Sequence, residues 1–371
     1  MRNLYIHVPF CAGKCDYCAF YSEPVPDAAL IRKWLDRILF QLEENAPRLR
    51  NAETVYFGGG TPSLLPDDVL KRLFAAVREA VPDAVEISIE TNPFTVTPEK
   101  AAVLTSFANR VTLGIQSFEP ALLEAIGRRV HAGSGPEMAV RILRESGLRN
   151  LGLDLMYALP GETPDLWRRD LERALELNPE HISAYSITPE PGTLFAGRVA
   201  GRPEDDALSE FMWEQAGTVL GEAGLSRYEI SNYARPGFES RHNSNVWHGQ
   251  TYLGLGPAAC SFDGTDRWTQ ISDLRSWLDG SPPDFDRIPR RARLGEILMM
   301  GLRTVRGWTR REFEEAACCG WDGFSEQLNE LVEHGLVMRT ADSIVPTEHG
   351  LAFWNDIAES LVFAPQTCNF P

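Results

Sequence analysis

Three cysteines, Cys11, Cys15 and Cys18, lie in the run HVPFCAGKCDYCAF. The C-x3-C-x2-C spacing puts three thiols on one short loop. Three thiolates cannot by themselves complete a four-coordinate structural zinc site. They can ligate three irons of a [4Fe–4S] cube and leave the fourth open, because such clusters are held by soft thiolates. An open iron can bind a substrate and pass it an electron. The plainer alternative is a loop of three free or zinc-bound thiols.

The cysteine loop follows the first of six β-like runs, at 4–8, 54–57, 85–90, 111–115, 151–157 and 181–187. Amphipathic stretches at 27–45, 66–81, 98–107, 136–146 and 164–177 separate them, several opening with Asp, Thr or Pro as helix starts do. Strands alternating with helices predict an α/β protein with a parallel sheet. Six strands fall short of the eight that close a barrel, so a partial barrel is expected. Chemistry in such sheets collects at the C-terminal strand ends. Gly58, Gly59, Gly60, Thr61 and Pro62 follow the second run, Glu90 ends the third, Gln116 follows the fourth, and Asp154 lies within the fifth. Each alone has a plain explanation, as a tight turn or a hydrogen-bonded core residue. Their shared rim points to a site.

The formal charge of −16 argues against general nucleic-acid binding, which needs a positive surface. No run of about 18 apolar residues suggests a membrane span. Met1 is followed almost at once by LYIHVP, leaving no room for a signal peptide, so a cytoplasmic protein is expected. Seven cysteines, three of them clustered, suit a reducing compartment and a metal site better than a disulfide framework.

Three segments are expected: 1–195 as the partial barrel, 196–291 as a less regular extension, and 292–371 as a small winged-helix-like unit. The extension opens with a helix at 205–223 and becomes loop-rich over 226–262. The last segment reads as helices at 294–302, 309–318 and 323–334, a β-like RTADSIVPT and a helix at 348–361. It carries six Arg, no Lys and twelve Asp plus Glu, a poor charge for reading DNA, so packing or partner docking is expected. Cys318 and Cys319 are adjacent on a helical stretch and read as structural thiols. Cys260 reads as a small buried filler, and Cys368 lies in a tail.

With its flanking Tyr5, His7, Pro9, Phe10 and Tyr17, the cysteine run resembles the radical S-adenosylmethionine (SAM) superfamily. Its nearest branch is that of oxygen-independent coproporphyrinogen III oxidase. The resemblance implies a radical SAM (β/α)6 partial barrel with a [4Fe–4S] cluster on Cys11, Cys15 and Cys18. It implies that SAM chelates the open iron and is cleaved by electron transfer to a 5′-deoxyadenosyl radical. By the same resemblance, Gly59, Gly60 and Thr61 form the turn that meets the SAM amino group. Glu90 and Gln116 are polar SAM contacts, Arg128 holds the SAM carboxylate, and Asp154 meets the ribose. Tyr5 and Tyr17 lie beside the cofactor.

Two relatives share this layout. The oxidase branch carries a fourth cysteine two positions after the third and a longer N-terminal segment. Here that position is Phe20, and the cysteines begin at residue 11. Both differences match a haem-chaperone branch, which also carries a His-Asn-x-x-Tyr-Trp motif implicated in haem binding. This chain has His242-Asn243-Ser244-Asn245-Val246-Trp247, with Val246 replacing the Tyr. The resemblance makes His242 the candidate axial haem ligand, with Asn243 and Trp247 beside it and His248 a competitor. The expected function is a SAM- and cluster-binding haem chaperone that hands haem to acceptors such as cytochromes. The alternatives are the oxidative decarboxylase, or a cluster-bearing scaffold that has lost turnover.

Overall fold

The computed structural model describes residues 1–24, 27–128, 135–200 and 205–362. Cys368 lies outside the described residues. The six expected strands form, as β1 (Asn3–Val8), β2 (Thr54–Gly59), β3 (Glu86–Thr91), β4 (Arg110–Gln116), β5 (Leu151–Tyr157) and β6 (His181–Ser186). Each pairs in parallel with the next.

The alternation within each strand sets the architecture. Leu4, Ile6 and Val8 are fully buried against helices, as are Val55 and Phe57 in β2 and Leu151, Leu153 and Leu155 in β5. Residues between them in sequence point to the opposite face. By this alternation Asn3, Tyr5, His7, Tyr56, Glu90, Arg110, Thr112, Asp154, Ser183 and Tyr185 lie on the face away from the helices, and Tyr56, Glu90, Asp154, Ser183 and Tyr185 reach the cavity there. The outer layer follows from amphipathic periodicity. The helix Ala28–Leu49 buries Ile31, Trp34, Leu35, Ile38 and Leu42, and the Asp27 side chain caps its first turn through Leu30 N, 2.9 Å away.

The sheet is wider than the six strands expected. Among the described residues it has twelve, adding β7 (Ser226–Arg227), β8 (Asn232–Ala234), β9 (Tyr252–Leu255), β10 (Cys260–Phe262), β11 (Arg267–Thr269) and β12 (Asp284–Asp286). The spatial order is β12-β11-β10-β9-β1-β2-β3-β4-β5-β6-β8-β7. β9 runs parallel beside β1, whereas β8 continues the other edge antiparallel to β6. These strands span two to four residues in a glycine-rich stretch, too short for a period-two pattern, so the segment reads as loop.

A second apolar core gathers Leu298, Leu302, Trp308, Phe313, Trp321, Phe324 and Leu328. Around it lie the helices Arg290–Gly301, Arg310–Ala317 and Ser325–Glu333. A small sheet of Trp308–Thr309, Val337–Arg339 and Ser343–Pro346 accompanies them. The expected last helix is broken at Phe353 into Glu348–Ala352 and Trp354–Val362. No helix among the described residues is long and apolar enough to cross a membrane.

Candidate functional site

A cavity of about 610 Å³ occupies the interior of the sheet. Cys11, Cys15, Tyr17, Cys18, Gly59, Gly60, Thr61, Glu90, Gln116, Arg128, Asp154 and Asn243 all line it. Residues scattered over more than 230 positions thus face one space. Tyr5, His242 and Trp247 do not line it.

The cysteine loop is pinned at its base. Phe10–Cys11 pairs in parallel with Glu23–Pro24. His7 Nε2 lies 2.9 Å from the Tyr21 carbonyl oxygen, and His7 Nδ1 lies 3.0 Å from Tyr5 Oη. A carbonyl can only accept, so Nε2 carries the proton and the Tyr5 hydroxyl donates to Nδ1. Tyr5 therefore acts one step behind the cavity, through His7, which in the sequence is only a flank of the cysteine run. The same imidazole requires Gly59. At φ +106 a side chain there is strained, and a Cβ would come within 2.5 Å of the His7 ring.

All three cysteines are free thiols, and Thr61 Oγ1 lies 3.8 Å from Cys11 Sγ. No group of three His, Cys, Asp or Glu side chains among the described residues closes around a single metal ion. A cluster does not ask for that, since each thiolate ligates its own iron. Three unpaired soft donors on one cavity wall fit an iron–sulfur cluster.

The interior polar groups are tied together. Glu90 accepts from Tyr56 Oη at 2.7 Å and from Gly59 N at 3.3 Å. Burial pushes its carboxyl up to about 7, and pushes that of Asp154 up to about 6. Gln116 adopts φ 73 where the β4–β5 register slips, and its Oε1 accepts from Tyr185 Oη at 3.0 Å. Such backbone strain is characteristic of ligand-facing positions. Arg128 donates to the Gly114 carbonyl and, at 3.3 Å, to Tyr17 Oη. These hydrogen bonds aim the guanidinium into the cavity from beside the cysteine loop. Phe20, at the position of the oxidase branch's extra cysteine, lines the cavity with 66% of its surface exposed.

The HNxxxW segment forms the helix Arg241–Trp247 at the other end of the sheet. Its first backbone amides, those of Arg241 and His242, donate to Glu86 at 2.8 and 2.9 Å, and Asn245 donates to Asn3 at 2.9 Å. Both partners are opening residues of their strands, so the helix plugs the N-terminal mouth. His242 is buried, its ring 5.1 Å from that of Tyr56 and its Nδ1 2.7 Å from Thr54 Oγ1. The Thr54 hydroxyl donates its single proton to Asn3 Oδ1 at 2.8 Å. It can then only accept from His242, which is fixed as the Nδ1–H tautomer with a lone pair on Nε2. His248 differs. Its Nδ1 and Nε2 lie 2.9 and 3.1 Å from the carbonyl oxygens of Ser244 and Gly307. Both of its ring nitrogens are engaged by main chain, whereas His242 keeps Nε2 without a partner among the described residues; neither ring lines the cavity.

The sheet, its rim of glycines and polar groups, and the three-thiol loop define a radical SAM protein. Residues 5–174 match the Radical SAM superfamily. The structure of coproporphyrinogen III oxidase (HemN) from Escherichia coli, a radical SAM enzyme, superposes with a TM-score of 0.80 at 22% identity. That alignment covers 97% of this chain and 89% of the oxidase, and it establishes the shared fold. Full-length sequence similarity is narrower. Proteins named heme chaperone HemW from Escherichia coli and Haemophilus influenzae are 34% and 32% identical to this chain, over 96% of it and 97% of each relative. The Bacillus subtilis protein of that name is 32% identical over 96% of this chain and 98% of its own length. The chain belongs to the HemW family within the radical SAM superfamily, whose cofactors are a [4Fe–4S] cluster and SAM.

Proposed function

We propose that this protein is a haem chaperone that binds haem and releases it to acceptor haem proteins in the cytoplasm. The observation that carries the reading is the end-to-end similarity to the HemW proteins, together with a cavity that gathers the cysteine loop and Asn243. In this reading Cys11, Cys15 and Cys18 hold the cluster. When bound, the cluster supplies electron transfer to SAM at its open iron. Gly59, Gly60 and Thr61 receive the SAM amino group, Arg128 its carboxylate, and Glu90, Gln116 and Asp154 its remaining polar edges. Tyr17 holds Arg128, and Tyr5 holds the loop through His7.

His242 is the proposed axial ligand, through Nε2. Its tautomer favours that role, because a ligating imidazole holds its other N–H on a fixed partner. Its ring lies behind Tyr56, so ligation requires the plug helix to turn the ring toward the cavity.

Anaerobically reconstituted protein titrated with haem, with and without SAM, and then mixed with an apocytochrome tests the reading. A Soret band that moves to the acceptor is expected. Conversion of coproporphyrinogen III to protoporphyrinogen in the presence of SAM and reductant would replace it with the decarboxylase.

A further inference from the structure

Arg303 follows the helix Arg290–Gly301 of the second core, yet it lines the same cavity as the cysteines. It is held on several sides. Its Nε donates to Glu229 Oε2 at 2.6 Å. Glu229 is fully buried, and its other oxygen accepts from Ser231 N and Asn232 Nδ2, each at 2.6 Å. The guanidinium carbon lies 5.5 Å from the Trp247 ring and 5.6 Å from that of Trp354. Trp354 is itself fixed by its Nε1 on the Met299 carbonyl at 3.0 Å. Aromatic faces and one carboxylate thus set both the position and the plane of this cation.

Among the described residues, the two terminal amino groups of Arg303 meet no acceptor. Asn243 lines the same cavity. Its backbone amide is used on Ser240 Oγ at 3.3 Å, while its side-chain amide has no partner among the described residues. A rigid guanidinium fork packed on Trp247, four residues along the same helix from an unused carboxamide that faces the same cavity, is a receptor for a planar carboxylate, which takes two parallel N–H bonds from arginine.

We infer that Arg303 and Asn243 receive a carboxylate of a tetrapyrrole, so that one propionate edge of the ligand enters the cavity at the end away from the cysteines. The inference rests on the tetrapyrrole reading above and specifies which part of the ligand is recognised. It gives Trp247 the role of holding Arg303 in place, and it brings a residue of the second core into the binding site.

The test uses the reconstituted full chain and iron-free protoporphyrin IX, so that axial ligation plays no part. Affinities for the free acid and its dimethyl ester are measured by fluorescence. The acid is expected to bind about ten- to a hundredfold tighter than the ester, as for loss of a charge-assisted pair. Arg303→Gln should erase that preference while iron content and SAM affinity hold. Equal affinity of the wild type for acid and ester overturns the inference without any variant and leaves the chaperone reading standing. A preference for the acid that survives Arg303→Gln, with iron content and SAM affinity unchanged, also overturns it. A wild type that binds neither porphyrin nor haem overturns the tetrapyrrole reading and the inference with it.

Discussion

The Cα of Gly127 rests directly against the Asp16 carboxylate, where any β-carbon would collide. Asp16 sits between the second and third cysteines. Its backbone N–H donates to the Ile126 carbonyl at 3.3 Å, its carbonyl accepts from Phe195 N at 2.8 Å, and its side chain pairs with Arg198 at 2.7 Å. One residue thus ties the cysteine loop to the turn that launches Arg128 and to the helix Leu194–Val199. Gly127 also has φ +65. Gly127→Ala should therefore loosen the loop and Arg128 together, at about 1–3 kcal/mol for the strain and overpacking. Calorimetric SAM titration and iron retention under mild chelation check this, and both should fall in parallel. A loss of one without the other would separate the loop from the arginine.

Replacing Cys11, Cys15 and Cys18 together with Ala should abolish reconstituted iron and sulfide. Cys260→Ser, Cys318→Ser and Cys319→Ser should each keep the full complement. Cys260 lies 3.7 Å from Tyr252 Oη on a flanking strand and does not line the cavity, and Cys318 and Cys319, expected on a helix, instead follow its end at Ala317, with Cys318 as the left-handed cap. Iron and sulfide assays on the anaerobic protein decide the point. Full zinc occupancy with no iron would replace the cluster with the plainer thiol-loop reading.

Arg128→Ala should weaken SAM binding by about 2–4 kcal/mol, the range for removing one partner of a buried charge-assisted contact. Tyr17→Phe should cost less, because it removes only one bond that orients the guanidinium, typically about 0.5–1.5 kcal/mol. Equilibrium SAM binding to the reduced, cluster-loaded protein measures both. Equal losses in the two variants would mean that Arg128 acts only through Tyr17.

Much of this site is legible in the chain because its parts are contiguous motifs at strand ends. The cysteine loop, the glycine turn, Glu90 and Gln116 each announce themselves beside a β-like run. The interior polar set is legible in part too, since Tyr5, His7 and Tyr56 alternate with fully apolar neighbours. The position of His242 is not. Which face of a short helix turns inward depends on what it packs against, here Asn3, Thr54 and Glu86 from three different strands. Arg303 is invisible for the same reason, because only the seating of the second core brings it to the cavity. The flanking strands escape notice because pairing, and not local pattern, makes them strands.

Glu90 links stability to pH. Its carboxyl is raised by burial to about 7 in the fold, against an ordinary value of about 4.5. Between those values the unfolded chain loses this proton and the folded chain keeps it. Stability from this group is therefore fully present below about pH 4.5 and declines as pH rises toward 7. At about 1.4 kcal/mol per pH unit, the swing is up to about 3 kcal/mol. The apoprotein of Glu90→Gln should lose less stability than the wild type between pH 5 and 8. Urea midpoints at the two pH values measure the difference, and identical slopes would show that Glu90 ionises normally.

His242 provides the sharpest test of the haem ligand. Burial pulls its imidazole down to about 3, so the ring is neutral throughout the working range. An exposed histidine near 6.5 would be mostly protonated at pH 5.5 and would bind iron about tenfold more weakly there than at pH 7.5. Ligation by His242 should instead be nearly flat over that interval. His242→Ala should shift the Soret band and cut transfer to an acceptor, while His248→Ala should preserve both, because its ring nitrogens face main-chain carbonyls. Thr54→Val should keep the fold's apolar exterior but release the Nδ1 tautomer, and it should weaken ligation without touching SAM affinity. Val246→Tyr should leave ligation intact. A haem spectrum lost in His248→Ala and retained in His242→Ala would transfer the ligand to the neighbouring ring and remove Thr54 from the site.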